Sequence, residues 1–184
     1  MIIGITGTDG AGKGTVVEYL VNHKGFTHYS SRDLLLAEVI KAGIEPTRNE
    51  LRLMGNKMRA QYGDDVVVQK ALEHIETDGV GLAVVESIRA MAEAQTLKSR
   101  GAVLLAVDAD LQIRYERVQQ RRSEKDQVTY ETFVTQEELE KNDPDPHGMQ
   151  KAKVMEMADY TIFNNGSREE LHQHVNEFLA QYDI

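Results

Sequence analysis

Residues 7–15 read Gly-Thr-Asp-Gly-Ala-Gly-Lys-Gly-Thr, a Gly-x-x-x-x-Gly-Lys pattern suited to holding phosphate. Gly7, Gly10 and Gly12 let the backbone curl so that successive amide N–H groups converge on anionic oxygens, with Asp9 and Ala11 completing the loop. A helix beginning near Gly12 adds its positive N-terminal end. Lys13, in a loop expected to face solvent, supplies a full charge near the β- and γ-phosphates. The flanks agree with this reading. Ile2, Ile3 and Ile5 form an apolar run before the loop, and Val16, Val17, Leu20 and Val21 follow at helical spacing. In the general pattern a Ser or Thr follows the lysine and its hydroxyl binds Mg²⁺. Here Gly14 takes that place and the hydroxyl comes one residue later, at Thr15.

Three further groups could act with this loop. Glu86 and Arg89 close the run Val84-Val85-Glu86-Ser87-Ile88-Arg89. In a doubly wound sheet ligands sit outside the carboxyl ends of strands, so this pair falls beside the loop; otherwise it is an ordinary strand-end charge pair. Arg114, Arg117 and Arg121 recur at i, i+3 and i+7, and for Arg114 a solvated, salt-bridged face is the preferred reading. Ser30-Ser31-Arg32-Asp33 opens another helix. Asp33 there either serves first-turn backbone amides or acts as a general base toward a hydroxyl. The six histidines form no ligand cluster, and Glu137, Glu138 and Glu140 read as a solvated helix face.

The elements that must position these groups are short strands at about 2–6, 26–29, 81–86, 102–107 and 159–163, separated by helical patterns. A long helical stretch over about 31–77 is broken at Gly43-Ile44-Glu45-Pro46 and at Tyr62-Gly63, and another helix spans Asp110 to Arg122. Residues 142–148 carry Pro144 and Pro146 and must be loop, within an irregular excursion over about 123–150. Ser167-Arg168-Glu169-Glu170 is a capping box that opens the final helix. The fold class is α/β: a doubly wound five-stranded parallel sheet with helices on both faces and a small lid, in one domain over 1–184.

Gly-Lys-Gly-Thr at 12–15 resembles the nucleoside monophosphate kinase family, and Asp9 is more like its thymidylate kinase version. The resemblance implies a small phosphotransferase using ATP and Mg²⁺, not a motor, a GTPase switch or a transporter ATPase. Glu86 to Arg89 is similar to the Asp-Gly-x-x-Arg element of adenylate kinase, with Glu for Asp and Ser for Gly. By that likeness Glu86 helps hold hydrated Mg²⁺ and Arg89 grips the acceptor. Arg117 and Arg121 look like the Arg-x-x-x-Arg that opens the adenylate kinase lid; the first would stack on the nucleotide base and the second reach the transferring phosphate. Ala158 to Ser167 resembles the last strand and turn of dephospho-CoA kinases, which would set Asn165 and Gly166 beside the adenine, although Asn-Gly before a capping Ser is also simply good turn chemistry. Ser30 to Leu36 resembles the adenylate kinase acceptor segment, with Leu36 where the phosphate-binding arginine stands and Arg32 where glycine stands. Arg32, Asp33 and Arg89 are the acceptor-side candidates. Keeping the carboxylate while losing that arginine tilts the reading toward a hydroxyl acceptor such as dephospho-CoA, with a nucleoside monophosphate as the alternative. A regulatory nucleotide-binding module with little kinase activity stays open, because Glu86, Ser87 and Leu36 each replace a familiar kinase element.

Composition bounds the partners. The 184 residues suit one domain, with 41% hydrophobic and 28% charged residues. A net charge of −9 argues against electrostatic nucleic-acid binding, and the absence of cysteine excludes disulfides and thiolate metal sites. No run approaches membrane-spanning length and no secretory pattern opens the chain, so a cytoplasmic monomer or weak homodimer acting on a small nucleotide-like molecule is expected.

Overall fold

The computed structural model describes residues 1–120 and 128–184. Five strands, β1 (Ile2–Gly7), β2 (Thr27–Ser30), β3 (Ala83–Glu86), β4 (Val103–Asp108) and β5 (Tyr160–Phe163), form one sheet in the order β2-β3-β1-β4-β5. Every pairing is parallel, with Ile5 beside Glu86 and Gly7 beside Val107. The doubly wound α/β sheet is therefore the one the apolar runs imply.

Both faces are covered, which is why the strands are nearly continuous in apolar residues and do not alternate. Helices α1 (Lys13–Lys24) and α9 (Arg168–Ala180) cover one face, where Ile3, Ile5, Leu105 and Val107 meet Leu20, Val175 and Phe178. Helices α4 (Val66–Asp78) and α5 (Met91–Ser99) cover the other, where Val85 and Leu104 meet Leu72, Ile75 and Leu97. The stretch expected as broken helix is α2 (Ser31–Lys41), α3 (Arg48–Tyr62) and α4, and a small separate core of Met58, Val66 and Val67, with Leu34 and Leu35 of α2 packed against it, joins the three. The capping box of α9 forms, with Ser167 Oγ accepting from Glu170 N.

One expectation is corrected. Twelve residues within the supposed irregular excursion form α7 (Tyr130–Lys141), entered through Thr129, whose hydroxyl accepts from Thr132 N. Its Phe133 is completely buried. Loop follows over 142–150, then the short α8 (Lys151–Glu156). Helix α6 is described over Leu111–Gln120, so Arg121, and with it the opening of the expected lid to residue 127, lies outside the described residues. Among the described residues no helix is long and apolar enough to cross a membrane.

Strand β1 has β3 on one side and β4 on the other, so the winding direction reverses there. A crevice opens at the carboxyl ends of these strands. Gly7, Glu86 and Asp108 end β1, β3 and β4 at that edge, and Asn164 follows β5.

Candidate active site

The glycine loop leaves β1 and turns into α1, with Gly12 as its N-cap at φ 104°. Gly10 also has positive φ, and a Cβ there would lie 2.4 Å from the carbonyl oxygen of Arg114. The loop can pass α6 this closely only with glycine at that point. Ala11 is buried, and its carbonyl accepts from Asn164 Nδ2 at 2.7 Å, tying the loop to the end of β5.

Lys13 is half-buried, which corrects the solvent-facing placement. Its ammonium donates to the carbonyls of Gly7 (3.1 Å) and Thr8 (2.6 Å). Burial, reinforced by the charge of Lys151, pushes it down to about 8, with Asp9 pulling the other way. Phosphate oxygens favour the charged form, so binding a nucleotide restores a proton to Lys13 above that pH. Below about pH 8 the lysine is already charged and affinity is flat; above it, binding must take up a proton and weakens. Calorimetry of ATP binding should show that plateau, then a decline with proton uptake. Equal affinity on both sides of pH 8 would mean that Lys13 does not meet phosphate.

One cavity beside the loop is lined by Gly10, Gly12, Thr15, Arg117 and Gly166. Arg117 donates to the carbonyls of Asn164 (2.8 Å) and Gly166 (3.2 Å), which holds its guanidinium at this wall. Asn165 does not line the cavity; its Oδ1 accepts from Asp110 N at 2.8 Å. Gly14 is exposed on the first turn of α1.

Glu86 is 3.3 Å from His28 Nε2. Burial raises its carboxyl, but the His28 hydrogen bond and the Lys13 charge prevail and hold it below the usual range. The Thr15 hydroxyl has no hydrogen-bond partner among the described residues. Mg²⁺ in such sites takes one or two protein ligands and fills the rest from phosphate and water. An unspent hydroxyl and an ionised carboxylate are oxygen donors of that kind, with Thr15 in the wall of the Arg117 cavity and Glu86 outside it.

On the other side of the loop a second cavity encloses about 750 Å³ counting its mouth, the scale of a small-molecule site. Helix α2 contributes Ser31 and Arg32, α3 contributes Arg48, Arg52 and Arg59, and the end of β3 contributes Ser87 and Arg89. Asp33 is exposed and does not line it. Ser30 caps α2, accepting from Asp33 N at 3.1 Å, and the Asp33 carboxylate has no partner among the described residues. Arg32 likewise forms no hydrogen bond or ion pair among them. Among the described residues Arg89 Nη1 reaches Met149 Sδ (3.5 Å) and, at 4.0 Å, Glu140.

The three arginines of α3 were not singled out from the sequence. Arg48, Arg52, Gly55 and Arg59 recur at i, i+4, i+7 and i+11, one stripe of a helix, and that spacing is the signal that was available. Glu93, the one carboxylate in the cavity wall, is already spent. It pairs with Arg59 at 2.8 Å and accepts from the backbone N–H groups of Arg89 and Ala90.

The acidic face of α7 is also corrected. Glu137 and Glu140 are buried, not solvated; of the three, Glu138 alone is exposed. Arg114 is buried too and pairs with Glu137 at 2.6 Å, and its Nη1 donates to the carbonyl of Asp9. Glu140 binds Arg48 at 2.6 Å and Lys151 at 2.9 Å. Burial raises its carboxyl, but Lys151, Arg89 and Arg48 together hold it well below the usual range. Arg48 also reaches Asp9 at 3.1 Å, and that charge holds the Asp9 carboxyl down against its burial. A buried ionic lattice thus joins α3, α7 and α8 to the glycine loop.

Comparison with known proteins agrees with this geometry. Residues 3–145 match the AAA domain family. A UPF0200 protein of Methanothermobacter thermautotrophicus is 31% identical over 168 residues, covering 90% of this chain and 82% of the relative. One of Staphylothermus marinus is 30% identical over 181 residues, covering 98% and 92%. Among solved structures, shikimate kinase from Acinetobacter baumannii superposes with a TM-score of 0.60 at 20% identity, covering 100% of this chain and 94% of that one. That likeness shows the fold. The chain belongs to the AAA domain family and, within it, stands with the UPF0200 proteins on a P-loop kinase-like fold.

Proposed function

We propose that this protein is an ATP-dependent phosphotransferase that moves the γ-phosphoryl group to a small, phosphate-bearing acceptor held in the arginine-lined cavity. The observation that carries this reading is the charge imbalance of that cavity. Of its five arginines, Arg48, Arg52 and Arg59 are paired with Glu140, Asp143 and Glu93, while Arg89 reaches Glu140 at 4.0 Å and Arg32 has no partner among the described residues. Unneutralised guanidinium groups beside a phosphate loop are suited to an anionic ligand.

The roles follow from position. Backbone N–H groups of Gly7 to Thr15 and the Lys13 ammonium hold the donor's phosphates. Arg117 lies on the donor's base side. Mg²⁺, when bound through Thr15 and Glu86, would supply charge neutralisation at the phosphates. Arg89 and Arg32 orient the acceptor. An acceptor phosphate oxygen attacks the γ-phosphorus, the bond to the β–γ bridging oxygen breaks, and ADP leaves. An ionised phosphate has no proton to lose, so this transfer needs no base.

A second reading, a hydroxyl acceptor of the dephospho-CoA kind with Asp33 as base, is favoured by an Asp33 carboxylate that has no partner among the described residues. Asp33→Asn separates the two. With a phosphate acceptor, turnover stays near wild type; with a hydroxyl acceptor it falls by about 10²–10⁴-fold. The helix start is safe in either case, because Ser30 supplies the cap. The function itself is tested by following ADP formation with MgATP across nucleoside monophosphates and dephospho-CoA. Acceptor-stimulated ADP production with a monophosphate is the expected result, and ATP turnover indifferent to every acceptor would refute it.

A further inference from the structure

Buried polar side-chain atoms in folded proteins nearly always have partners. Among the described residues four have none, and two of these, Ser31 Oγ and Arg52 Nε, belong to the acceptor-side cavity. Ser31 is only 3% exposed, and since Ser30 caps α2, the Ser31 hydroxyl is not consumed by the helix start. Arg52 spends Nη1 on Asp143 and Nη2 on Asn49, which leaves its Nε–H unspent.

Ser87 adds an independent observation in the same wall. Its φ is 73°, in the left-handed region where a Cβ is strained and glycine is not. Its hydroxyl makes no hydrogen bond among the described residues, so nothing in the protein rewards the serine for that strain. Strained residues of this kind concentrate at ligand sites.

We propose that Ser31, Arg52 and Ser87 are specificity-determining residues that recognise the non-bridging oxygens of the acceptor's phosphate monoester. The inference deepens the reading above and rests on it for the word acceptor. Arginine Nε–H can only donate, and a serine hydroxyl can donate freely, so all three groups are satisfied together by an oxyanion. Arg32, exposed and without a partner among the described residues, supplies positive charge in the same wall. A neutral hydroxyl could satisfy the serines, but only an anion would also gain from the Arg32 charge.

The test uses the full chain with its glycine loop filled by a non-hydrolysable ATP analogue and Mg²⁺, so that added anion cannot bind there. Inorganic phosphate is then titrated by calorimetry. Ser31→Ala and Ser87→Gly should each weaken phosphate binding by about tenfold, the loss of one hydrogen bond to a charged group. Arg52→Lys keeps the charge but lacks the Nε donor, and it should weaken binding to a similar degree. Affinity for the analogue should not change. Ser87→Gly should unfold at or above the wild-type temperature, because it releases strain while losing a ligand contact.

Wild-type phosphate affinity in both serine variants would overturn the proposal, as would no phosphate binding by the wild type. Loss of binding in Ser87→Gly accompanied by a lower unfolding temperature would also overturn it, by making Ser87 structural. Serine-dependent phosphate binding in a protein that transfers phosphate to no acceptor would uphold the anion site and defeat the phosphotransferase reading instead.

Discussion

Lys13→Ala is expected to cut phosphoryl transfer severely and to leave the fold intact. A phosphoryl group in flight spreads negative charge over its oxygens, and a fixed cation beside it is worth several kcal/mol, so a loss of at least about 10²–10³-fold is expected. The structure explains why stability does not follow activity. Among the described residues the Lys13 ammonium donates to carbonyls of its own loop alone, and burial and Lys151 already disfavour its charge. Removing it deletes an electrostatic burden along with two hydrogen bonds. Turnover and thermal unfolding measured on the same preparation decide the matter. Near-normal turnover in a folded variant would refute the phosphate-loop assignment.

Arg89→Ala is the second large loss. This guanidinium lines the acceptor cavity, and its charge acts on both Lys13 and Glu86, so it lies between the two halves of the site. A donor aimed at developing charge is worth about 10²–10³ in rate, and the fall should appear in kcat as well as in the acceptor's KM. The fold keeps what it needs from residue 89. The Arg89 backbone N–H donates to Glu93 and its carbonyl accepts from Gln150 N, and both survive in alanine. Glu140 keeps Arg48 and Lys151 as partners. A change confined to KM would make Arg89 a binding residue that takes no part in the transfer step.

The parts of the molecule legible in the sequence are those where local chemistry and tertiary environment agree. The Gly7 to Thr15 loop is fixed by backbone requirements that only glycine meets at Gly10 and Gly12. Strands such as Ala83–Glu86 are apolar because both faces are covered, and runs like these read plainly. Helix α7 fails that test. Its inward residues at i, i+4 and i+7 are Phe133, Glu137 and Glu140, and two buried carboxylates make an inward face look solvated. Their partners Arg114, Arg48 and Lys151 stand on other helices, 23, 92 and 11 residues away, so no pattern within α7 announces the pairing. Arginines on α3 are hidden for the same reason: a stripe of guanidinium groups facing a cavity has the same spacing as one facing water. Asp33 illustrates the converse, since its type and place suit either a cap or a base, and only the Ser30 hydrogen bond shows that the cap is already supplied.

The most direct test of the central claim follows the γ-phosphoryl group itself. The protein is incubated with Mg²⁺ and ATP labelled at the γ-phosphate in the presence of nucleoside monophosphates, and the label is traced by chromatography. The account predicts that label moves onto one phosphate-bearing acceptor with wild-type protein and stays in ATP with Lys13→Ala. Label released only as inorganic phosphate, or retained in ATP whatever acceptor is present, would contradict it and make the domain a nucleotide-binding module.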